Sequence, residues 1–287
     1  MTLSDIDTAE LRSVAEQLAV EAAEFVRVRR VEVFGDGRPQ SGDAAVESKS
    51  TRTDPVTVVD TETELLLRDR LAQIRPGEPV LGEEGGGPRQ DSDGGSVTWV
   101  LDPIDGTVNF VYGIPAYAVS VAVQRGGVSV AGAVADVTRA VVYSAGLGLG
   151  ARVVDASGMS ETLRCNAIDD LSMALVGTGF GYSPQRRAAQ AAVLAGVLPH
   201  VRDVRRMGSA ALDLCMVAAG CLDAHYEHGL NRWDWAAGAL IAAEAGARVQ
   251  LPRTDGPELT LVAAPGIAAD LRDLLERLGA HDELPED

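Results

Sequence analysis

Two aspartates follow an apolar run that predicts a buried strand near residue 100. Asp102 ends this run, because Pro103 cannot continue the hydrogen bonding of a strand. The offset of three residues turns Asp105 back beside Asp102, and Gly106 allows close approach of the backbone. The amide groups of Gly106 and Thr107, at the start of a helix, would form a site for an anion. This stretch therefore predicts two adjacent carboxylates beside an anion site.

Further acidic residues lie at other predicted turns, in segments that contain no histidine or cysteine: Asp54, Asp60, Glu83, Glu84 and Asp234. If these carboxylates converge, each pair about 4 Å apart repels by roughly 4 kcal/mol at an effective dielectric constant of 20, so the folded chain would need cations there. Ligands that offer only oxygen select Mg²⁺ before Zn²⁺. Two or more such ions beside an anion site suit the hydrolysis of a phosphate ester, because one ion lowers the pKa of a water molecule and another stabilises the leaving oxygen.

Each acidic residue taken alone also fits an ordinary structural role. Aspartate is common in turns and at helix N-caps, so Asp102 could serve only a turn and Asp234 only a helix cap. The pattern as a whole favours metal binding, because a buried charge at the end of a core strand is unfavourable unless it has a partner. The Asp-x-x-Asp spacing differs from the Asp-x-Asp of aspartyl-phosphate enzymes, so we expect direct attack by water rather than a covalent intermediate.

The composition narrows the class of protein. The 287 residues include 25 Lys and Arg against 42 Asp and Glu, a net charge of −17 at pH 7, which argues against nucleic acid or an anionic membrane as a partner. No run of about 18 apolar residues predicts a membrane span, and the acidic N-terminus does not resemble a signal peptide. Cys165, Cys215 and Cys221 lack CxxC spacing, and we interpret them as reduced, buried thiols of a cytoplasmic protein.

The first half of the chain predicts two helices followed by strands. Apolar residues at helical spacing predict a helix over residues 9–30. Thr61 and Glu64 form a capping-box pattern at the start of a second helix. Runs rich in β-branched residues predict strands from Val97 onward, and the turn over residues 125–127 predicts a hairpin between two of them.

The second half alternates strands with helices, which favours a layered α/β (α+β) fold. We expect an N-terminal α+β part over residues 1–146 that carries the metal-binding loops. A C-terminal α/β part over residues 147–287 would complete the site.

Five segments together resemble the inositol monophosphatase family, and within it the actinobacterial inositol-1-monophosphatases. They follow the family's order: Asp54-Pro-Val-Thr-Val-Val-Asp60, Leu81-Gly-Glu-Glu84, Trp99-Val-Leu-Asp-Pro-Ile-Asp-Gly-Thr-Val-Asn-Phe110, Gly208-Ser-Ala-Ala-Leu-Asp213 and Trp233-Asp-Trp-Ala-Ala-Gly238. The third segment is the most specific of the five. The resemblance implies a layered α-β-α-β-α sandwich of the inositol monophosphatase and fructose-bisphosphatase type, a homodimer and inhibition by lithium.

The resemblance also implies a site for two or three Mg²⁺ ions. Glu83, Asp102 and the backbone carbonyl of Ile104 would bind the first ion. Asp102, Asp105 and Asp234 would bind the second, and a third, weaker ion would share Glu83.

Catalytic and substrate-binding roles follow from the same resemblance. Thr107, with Asp60 and Glu83, would orient and activate the attacking water. The substrate-binding residues that it implies are Asp105, Gly106, Thr107, Gly208, Ser209, Ala210, Glu227 and Asp234. Glu227 would accept hydrogen bonds from inositol hydroxyls, a role that suits a carboxylate with two oxygens.

These observations predict a Mg²⁺-dependent phosphatase that converts myo-inositol 1-phosphate to myo-inositol and phosphate. The first alternative is another small phosphate ester, such as histidinol phosphate, fructose 1,6-bisphosphate or a 3′-phosphoadenosine nucleotide, because the rim of a pocket sets its substrate. Acidic and histidine residues near Glu227, rather than Lys or Arg, argue against a second phosphate. The second alternative is a binding protein of transcription complexes, a role that some bacterial relatives have.

Several basic residues near these motifs leave their roles open. Lys49 loosely resembles a family lysine near the third metal, but we interpret it as a solvated loop residue. His225 and His228 flank the expected inositol ligand and fit either a pocket or a structural role. Arg205 and Arg206 fit anion steering, a dimer contact or surface salt bridges.

Overall fold

The computed structural model describes residues 5–35, 46–49, 55–88, 97–252, 258–282 and 284–285. Its helices are α1 (Asp5–Phe34), α2 (Val58–Ile74), α3 (Thr107–Tyr112), α4 (Pro184–Val197), α5 (Ala210–Ala218), α6 (Arg232–Glu244) and α7 (Ala268–Arg277). Its strands are β1 (Val46–Ser48), β2 (Pro55–Thr57), β3 (Val80–Gly82), β4 (Val97–Asp105), β5 (Ala118–Arg125), β6 (Val128–Asp136), β7 (Val141–Gly146), β8 (Gly150–Val154), β9 (Ser160–Thr162), β10 (Leu175–Thr178), β11 (Asp203–Arg205), β12 (Ala224–His228), β13 (Arg248–Gln250) and β14 (Leu259–Ala263). Asp54, one of the acidic residues of the sequence motifs, lies outside the described residues.

Strands β3 to β9 form one sheet in chain order, which we call the large sheet. β3 runs parallel to β4, and the later neighbours in this sheet pair antiparallel. The predicted hairpin is confirmed: Gly126 and Gly127 connect β5 to β6 with φ values of 58° and 77°, a left-handed turn that favours glycine.

Helices cover both faces of the large sheet. On one face, Leu18 of α1 and Leu67 of α2 share a buried cluster with Trp99 of β4. On the other face, Leu214 of α5 and Ile241 of α6 share a second buried cluster with strands of the large sheet. Full burial of each such apolar side chain contributes roughly 1.5–3 kcal/mol, so these two layers hold the strands that carry the acidic motifs.

A smaller sheet with the strand order β11-β10-β12-β14-β13 lies on the far side of α5 and α6. Val262 of β14 belongs to the same buried cluster as these two helices. α4 and α7 cover the outer face, where Val197 and Leu271 pack with Val176 of β10. The layers therefore run α-β-α-β-α, which confirms the predicted fold class.

Small residues allow α6 to lie close to both of its neighbours. A Cβ atom at Gly132 of β6 would lie 3.0 Å from the Cα of Ala237, and one at Gly238 would lie 2.8 Å from the Cβ of Leu214. The Oγ of Ser120 on β5 also donates to the carbonyl of Trp233 at 3.3 Å. These contacts place the first turn of α6 beside the end of β4.

The second helix begins one turn earlier than predicted. Thr57 is the N-cap: its amide donates to Asp60 Oδ2 at 2.9 Å, and its Oγ1 accepts from the amide of Val59 at 3.2 Å. The segment beginning at Thr57 and the one beginning at Thr61 both offer a hydroxyl followed three residues later by an acid. The sequence favoured Thr61 with Glu64 because a long apolar run follows directly, and this prediction is wrong.

Other predictions have mixed outcomes. The cysteines are free thiols, as expected, but Cys221 is exposed and Cys165 half-buried, so the prediction of buried thiols holds for Cys215 alone.

The division of the chain at residue 146 stays a prediction. The large sheet ends at Thr162 and the smaller one begins at Leu175. Among the helices that the structure describes, none has both the length and the apolar character that crossing a membrane requires.

Candidate active site

One cavity of about 370 Å³ collects most of the predicted site residues. Its lining includes Glu83, Asp102, Ile104, Asp105, Gly106, Thr107, Gly208, Ser209, Ala210, Glu227 and Asp234. Asp60 is fully buried behind this lining and touches it through the hydroxyl of Thr107. Segments that are up to about 150 residues apart in the chain therefore meet at one place.

An irregularity in β4 brings the first two aspartates together. Asp102 pairs with Ser120 and Asp105 with Ala118, so β4 has one more residue than β5 between these two pairs. β4 therefore does not end at Asp102, as the sequence suggested, but continues through a bulge to Asp105. Gly106 follows with φ of 96°, and a Cβ there would lie 3.0 Å from the carbonyl oxygen of Gly208, so this tight corner needs glycine.

Asp102, Asp105 and Asp234 each offer a carboxylate oxygen within 4.8 Å of the others. Backbone and hydroxyl groups donate to one oxygen of each of these side chains. The amide of Ile104 donates to Asp102 Oδ1 at 3.0 Å, and the amide of Asn231 donates to Asp234 Oδ2 at 2.6 Å. Asp234 thus has the helix-capping role left open by the sequence and also belongs to the acidic cluster.

The start of α5 holds Asp105. Ser209, the N-cap of α5, donates its hydroxyl to Asp105 Oδ2 at 2.6 Å, and the amide of Ala211 donates to the same oxygen at 2.7 Å. Ser209 is buried, so its hydroxyl serves Asp105 within the protein. The resemblance assigned Ser209 to the substrate, and it did not indicate this supporting contact.

A buried glutamate of α2 fixes the loop that carries Glu83. The carboxylate of Glu64 accepts from the amides of Glu84 and Gly85 at 2.7 and 2.8 Å. Arg68, one turn along α2, contacts the same carboxylate at 2.7 Å. Glu64 was expected to cap a helix. It instead positions the turn that contains Glu83 and Glu84, which we call the acidic turn.

Lys49 lies in the site, so its interpretation as a solvated loop residue is wrong. Its Nζ lies 2.8 Å from Glu83 Oε1 and 2.5 Å from Glu84 Oε1. Burial opposes the charge of the ammonium group, but the two carboxylates outweigh this effect and raise the pKa of Lys49. The position of Nζ shows where the acidic turn attracts positive charge.

Thr107 and Asp60 form a second polar group beside the aspartates. The Oγ1 of Thr107 lies 3.1 Å from Asp60 Oδ1 and 3.0 Å from the carbonyl oxygen of Ile104. Thr57 holds the other oxygen of Asp60 through its amide and its hydroxyl, at 2.9 and 2.5 Å. Burial is the main reason that the pKa of Asp60 is raised to about 7.

The donor set suits a hard divalent cation. Burial raises the pKa values of Asp102 and Asp234 well above the ordinary range, and nearby carboxylates, with Glu83 first among them, raise both further. A bound cation would remove this repulsion and keep the carboxylates ionised. Because the donors of the cluster are carboxylate oxygens, they fit Mg²⁺ better than Zn²⁺.

Without bound cations, the protein should gain stability as the pH falls from 8 to 6.5. The pKa of Asp60 is raised to about 7 and that of Asp105 to about 6, in both cases chiefly by burial. A carboxyl with a raised folded-state pKa stabilises the fold below its unfolded pKa, and this contribution is lost as the pH rises through the folded pKa. We expect the melting temperature in EDTA to rise by about 2–4 °C over this interval, equivalent to roughly 1–2 kcal/mol.

Saturating Mg²⁺ is the control for this pH dependence. It should flatten the curve, since bound cations keep the carboxylates ionised at every pH in the interval. The interval stops at 6.5 because His228, whose pKa burial lowers, opposes the trend at lower pH. If the melting temperature in EDTA decreased as the pH was lowered from 8 to 6.5, the prediction of buried carboxyls with raised pKa values would be wrong.

Another wall of the cavity carries Glu227, which lies on β12 with its side chain 13% exposed. His225, on the same face of β12, places its Nε2 3.2 Å from Glu227 Oε2 and its Nδ1 3.5 Å from Asp213 Oδ2. Arg206 lines the same cavity, whereas Arg205 pairs with Asp203 near the surface. The sequence did not decide the roles of these two arginines. It also gave no indication that His225 contacts Asp213.

The chain is similar to known proteins along nearly its whole length. A family model described as the inositol monophosphatase family matches residues 7–283. The inositol-1-monophosphatase of Mycobacterium leprae is 67% identical over 283 residues, which cover 96% of this chain and 97% of that protein. A Pasteurella multocida protein named Nus factor SuhB is 38% identical over 219 residues, which cover 76% of this chain and 79% of that protein.

The solved structures give the same result. The structure of Mycobacterium tuberculosis SuhB has a TM-score of 0.81 and 61% sequence identity, and the match covers 96% of this chain and 99% of that one. Agreement at this level, across all the layers of the fold, extends to the segments that build the cavity. The chain belongs to the inositol monophosphatase family, whose members are phosphoric monoester hydrolases.

Proposed function

We propose that this protein hydrolyses myo-inositol 1-phosphate to myo-inositol and phosphate with Mg²⁺ as its cofactor. The observation that carries the proposal is the convergence of Asp102, Asp105 and Asp234 within 4.8 Å, in a cavity that Glu227 also lines. The first three side chains suit divalent cations, which would in turn bind a phosphate group, and the fourth suits a polyol. The relatives that carry the name inositol-1-monophosphatase support the same substrate.

Two or three Mg²⁺ ions would be held by the carboxylates and one backbone carbonyl. Glu83, Asp102 and the carbonyl of Ile104 would bind the first, and Asp102 with Asp105 and Asp234 the second, while a weaker third would share Glu83. When bound, such ions lower the pKa of a water molecule and neutralise charge on the leaving oxygen. The contact of Lys49 with Glu83 at 2.8 Å supports a demand for positive charge on this side of the site.

Thr107 and Asp60 would orient the attacking water. The hydroxyl of Thr107 has one proton but two acceptors within 3.1 Å, Asp60 Oδ1 and the carbonyl of Ile104. Its oxygen keeps lone pairs that can accept a hydrogen bond from water and so direct that water at phosphorus. Asp60, whose Oδ1 lies 3.1 Å from this hydroxyl, is the carboxylate placed to take up a proton that passes through it.

The corner between β4 and α3 would bind the phosphate. The first backbone hydrogen bond of α3 runs from the amide of Phe110 to the carbonyl of Gly106, at 3.0 Å. The amides of Gly106 and Thr107 come before Phe110 in the chain. They therefore have no carbonyl of their own helix within reach and can donate to phosphate oxygens. Gly208, Ser209 and Ala210 would line the region between the phosphate and the ring.

Glu227 would accept hydrogen bonds from hydroxyls of the inositol ring. The Oε2 atom contacts His225, so Oε1 is the oxygen available to the substrate. A hydrogen bond to a carboxylate is worth roughly 1.5–3 kcal/mol, about 10–100-fold in affinity. Glu227 therefore provides the preference for a polyol within this chemistry.

A different phosphate ester is the second candidate, and one observation favours it. Lys49 and Arg206 both line the cavity, although the sequence suggested acid and histidine at its rim. Lys49 already contacts two carboxylates, which leaves Arg206 as the cation better placed for a second anionic group. A substrate panel separates histidinol phosphate, fructose 1,6-bisphosphate and 3′-phosphoadenosine nucleotides from inositol phosphate.

The resemblance also supports a homodimer and inhibition by lithium, and the free cysteines support a cytoplasmic location. All three stay predictions. A role in transcription complexes has the support of the relative named Nus factor SuhB. The net charge of −17 opposes direct contact with nucleic acid in such a role. Binding to transcription proteins by a catalytically inactive variant would distinguish this role from hydrolysis.

Glu227→Gln should raise KM for myo-inositol 1-phosphate by about tenfold or more, with kcat changed by less than about threefold. The substitution keeps the shape of the side chain but removes the charge that accepts from the polyol. The measurement is phosphate release from myo-inositol 1-phosphate and from p-nitrophenyl phosphate, which has no hydroxyl to offer, at saturating Mg²⁺.

Glu276→Gln, on the exposed face of α7, is the matched control and should behave as wild type. A wild-type protein that prefers another ester of the panel to myo-inositol 1-phosphate would overturn the proposed substrate. An unchanged KM in Glu227→Gln would remove the polyol role from Glu227.

A further inference from the structure

A fully buried histidine lies directly behind Glu227. The ring of His225 is 0% exposed and lies between two carboxylates, Asp213 on α5 and Glu227 on β12. The distances are 3.5 Å from Nδ1 to Asp213 Oδ2 and 3.2 Å from Nε2 to Glu227 Oε2. Asp213 is itself buried, with its side chain 2% exposed, and it lines the same cavity as Glu227, so His225 lies behind the wall between two of its carboxylates.

Each ring nitrogen of His225 lies within 3.5 Å of a carboxylate oxygen, and neither forms a hydrogen bond with another described residue. This arrangement favours the doubly protonated ring, because a neutral imidazole would have a lone pair instead of a proton beside one of the two carboxylates. Burial opposes the charge, but the contact with Glu227 and the negative charge of Asp213 outweigh burial and raise the pKa of His225. Asp105 adds to this effect from β4, and Arg206 lies near Asp213 with the opposite sign.

Two glycines make room for these side chains, one on the neighbouring strand β10 and one directly after its end. Gly177 of β10 pairs with His225 of β12, and a Cβ on Gly177 would lie 2.9 Å from Nδ1 of the ring. A Cβ on Gly179, two residues along, would lie 2.0 Å from Glu227 Oε1. The glycine spacing therefore matches the spacing of His225 and Glu227, and it opens one slot for the imidazole and the carboxylate.

We propose that His225, supported by Asp213, is a positioning residue that holds Glu227 in the orientation that accepts hydroxyl groups of the substrate. The proposal rests on the proposed function, because it assigns Glu227 to the polyol. The contact with Nε2 would fix Oε2 and leave Oε1 as the oxygen that accepts from the substrate. His225 itself does not line the cavity, so it acts on substrate binding through Glu227 rather than by touching the substrate.

The test compares two isosteric substitutions of the same residue. His225→Asn keeps an amide near the place of Nδ1, so it can contact Asp213 but does not reach Glu227. His225→Gln places its amide near Nε2 and can still donate to Glu227. We expect His225→Asn to raise KM for myo-inositol 1-phosphate about tenfold with kcat within about twofold, and His225→Gln to recover most of this loss.

The second substrate and two further variants separate positioning from general damage to the fold. Hydrolysis of p-nitrophenyl phosphate should stay within about twofold of wild type in both His225 variants. Asp213→Asn, which keeps Nε2 beside Glu227 but weakens the support of the ring, should raise KM for inositol phosphate by less than His225→Asn. His200→Asn, an exposed histidine, serves as the control for substitution alone.

Equal losses on both substrates in His225→Asn, or no loss on either, would overturn the positioning role while leaving the proposed function intact. Failure of His225→Gln to recover KM would also overturn it. A wild-type protein that prefers another hydroxyl-bearing ester would contradict the proposed substrate alone, and the same variants are then compared on that ester. A wild-type protein with no preference for esters that carry hydroxyls would overturn both.

Discussion

Asp102→Asn is expected to lower kcat/KM for myo-inositol 1-phosphate by about 10³-fold. Asp102 is the carboxylate that both proposed Mg²⁺ ions share, and its side chain is 1% exposed, so water cannot replace it easily. Metal ions that stabilise developing charge contribute several kcal/mol, and each 1.36 kcal/mol is tenfold in rate. The measurement is the rate of phosphate release at a series of Mg²⁺ concentrations.

The same substitution should make the metal-free protein more stable. Asparagine keeps the oxygen that accepts from the amide of Ile104 and removes a charge that faces Glu83, Asp105 and Asp234. Relief of a buried repulsion of about 2 kcal/mol would raise the melting temperature in EDTA by about 4 °C. A gain in stability together with a loss of activity distinguishes a metal ligand from a structural aspartate.

Asp69→Asn is the matched control, because Asp69 is an exposed aspartate in the middle of α2. It should leave both the rate and the melting temperature near wild type. If Asp102→Asn retained the wild-type rate, or lost stability in EDTA, the acidic cluster would have no catalytic metal role.

Thr107→Val is expected to lower kcat by about 10²-fold with a small change in KM. Valine matches threonine in shape but lacks the hydroxyl that contacts Asp60 Oδ1 at 3.1 Å and would orient water. General acid–base assistance contributes about 10²–10⁴-fold, and loss of an interaction made only in the transition state appears in kcat. Single-turnover phosphate release at saturating Mg²⁺ measures this step without product release.

Thr107→Ser restores the hydroxyl and should recover kcat to within about tenfold of wild type. The Asp60→Asn variant should resemble Thr107→Val, since its amide cannot take up the proton that would pass through the same hydrogen bond. A Thr107→Val enzyme with wild-type kcat would exclude the hydroxyl from orienting the water.

Part of the site around β4 was predictable because local rules set it. The corner at Gly106 and the Gly126-Gly127 turn follow from backbone conformations that glycine favours. The bulge that continues β4 from Asp102 to Asp105 was not predicted, because Pro103 indicated the end of the strand. The layered fold was predictable for a similar reason, since strands and helices alternate in the second half of the chain. Such features depend on residues that are neighbours in the chain, so the local sequence is enough to predict them.

The contacts that connect distant segments were not predictable in this way. Thr57 and Thr61 offer the same capping pattern, and the local sequence does not distinguish Thr57, the N-cap of α2, from Thr61. Lys49 reaches Glu83 across 34 residues, and its own segment contains nothing that distinguishes it from a surface lysine. The sequence places His225 two residues before Glu227 and left its role open, because its partner Asp213 lies on a helix of another layer.

Calorimetric titration of Mg²⁺ into the metal-free protein tests the metal site most directly. We expect wild type and Asp69→Asn to bind Mg²⁺ saturably, and Asp102→Asn to bind it at least about tenfold more weakly, in line with the loss of a shared carboxylate. Equal Mg²⁺ affinity in wild type and Asp102→Asn, or no saturable binding by wild type, would contradict a cation site at the convergence of these aspartates.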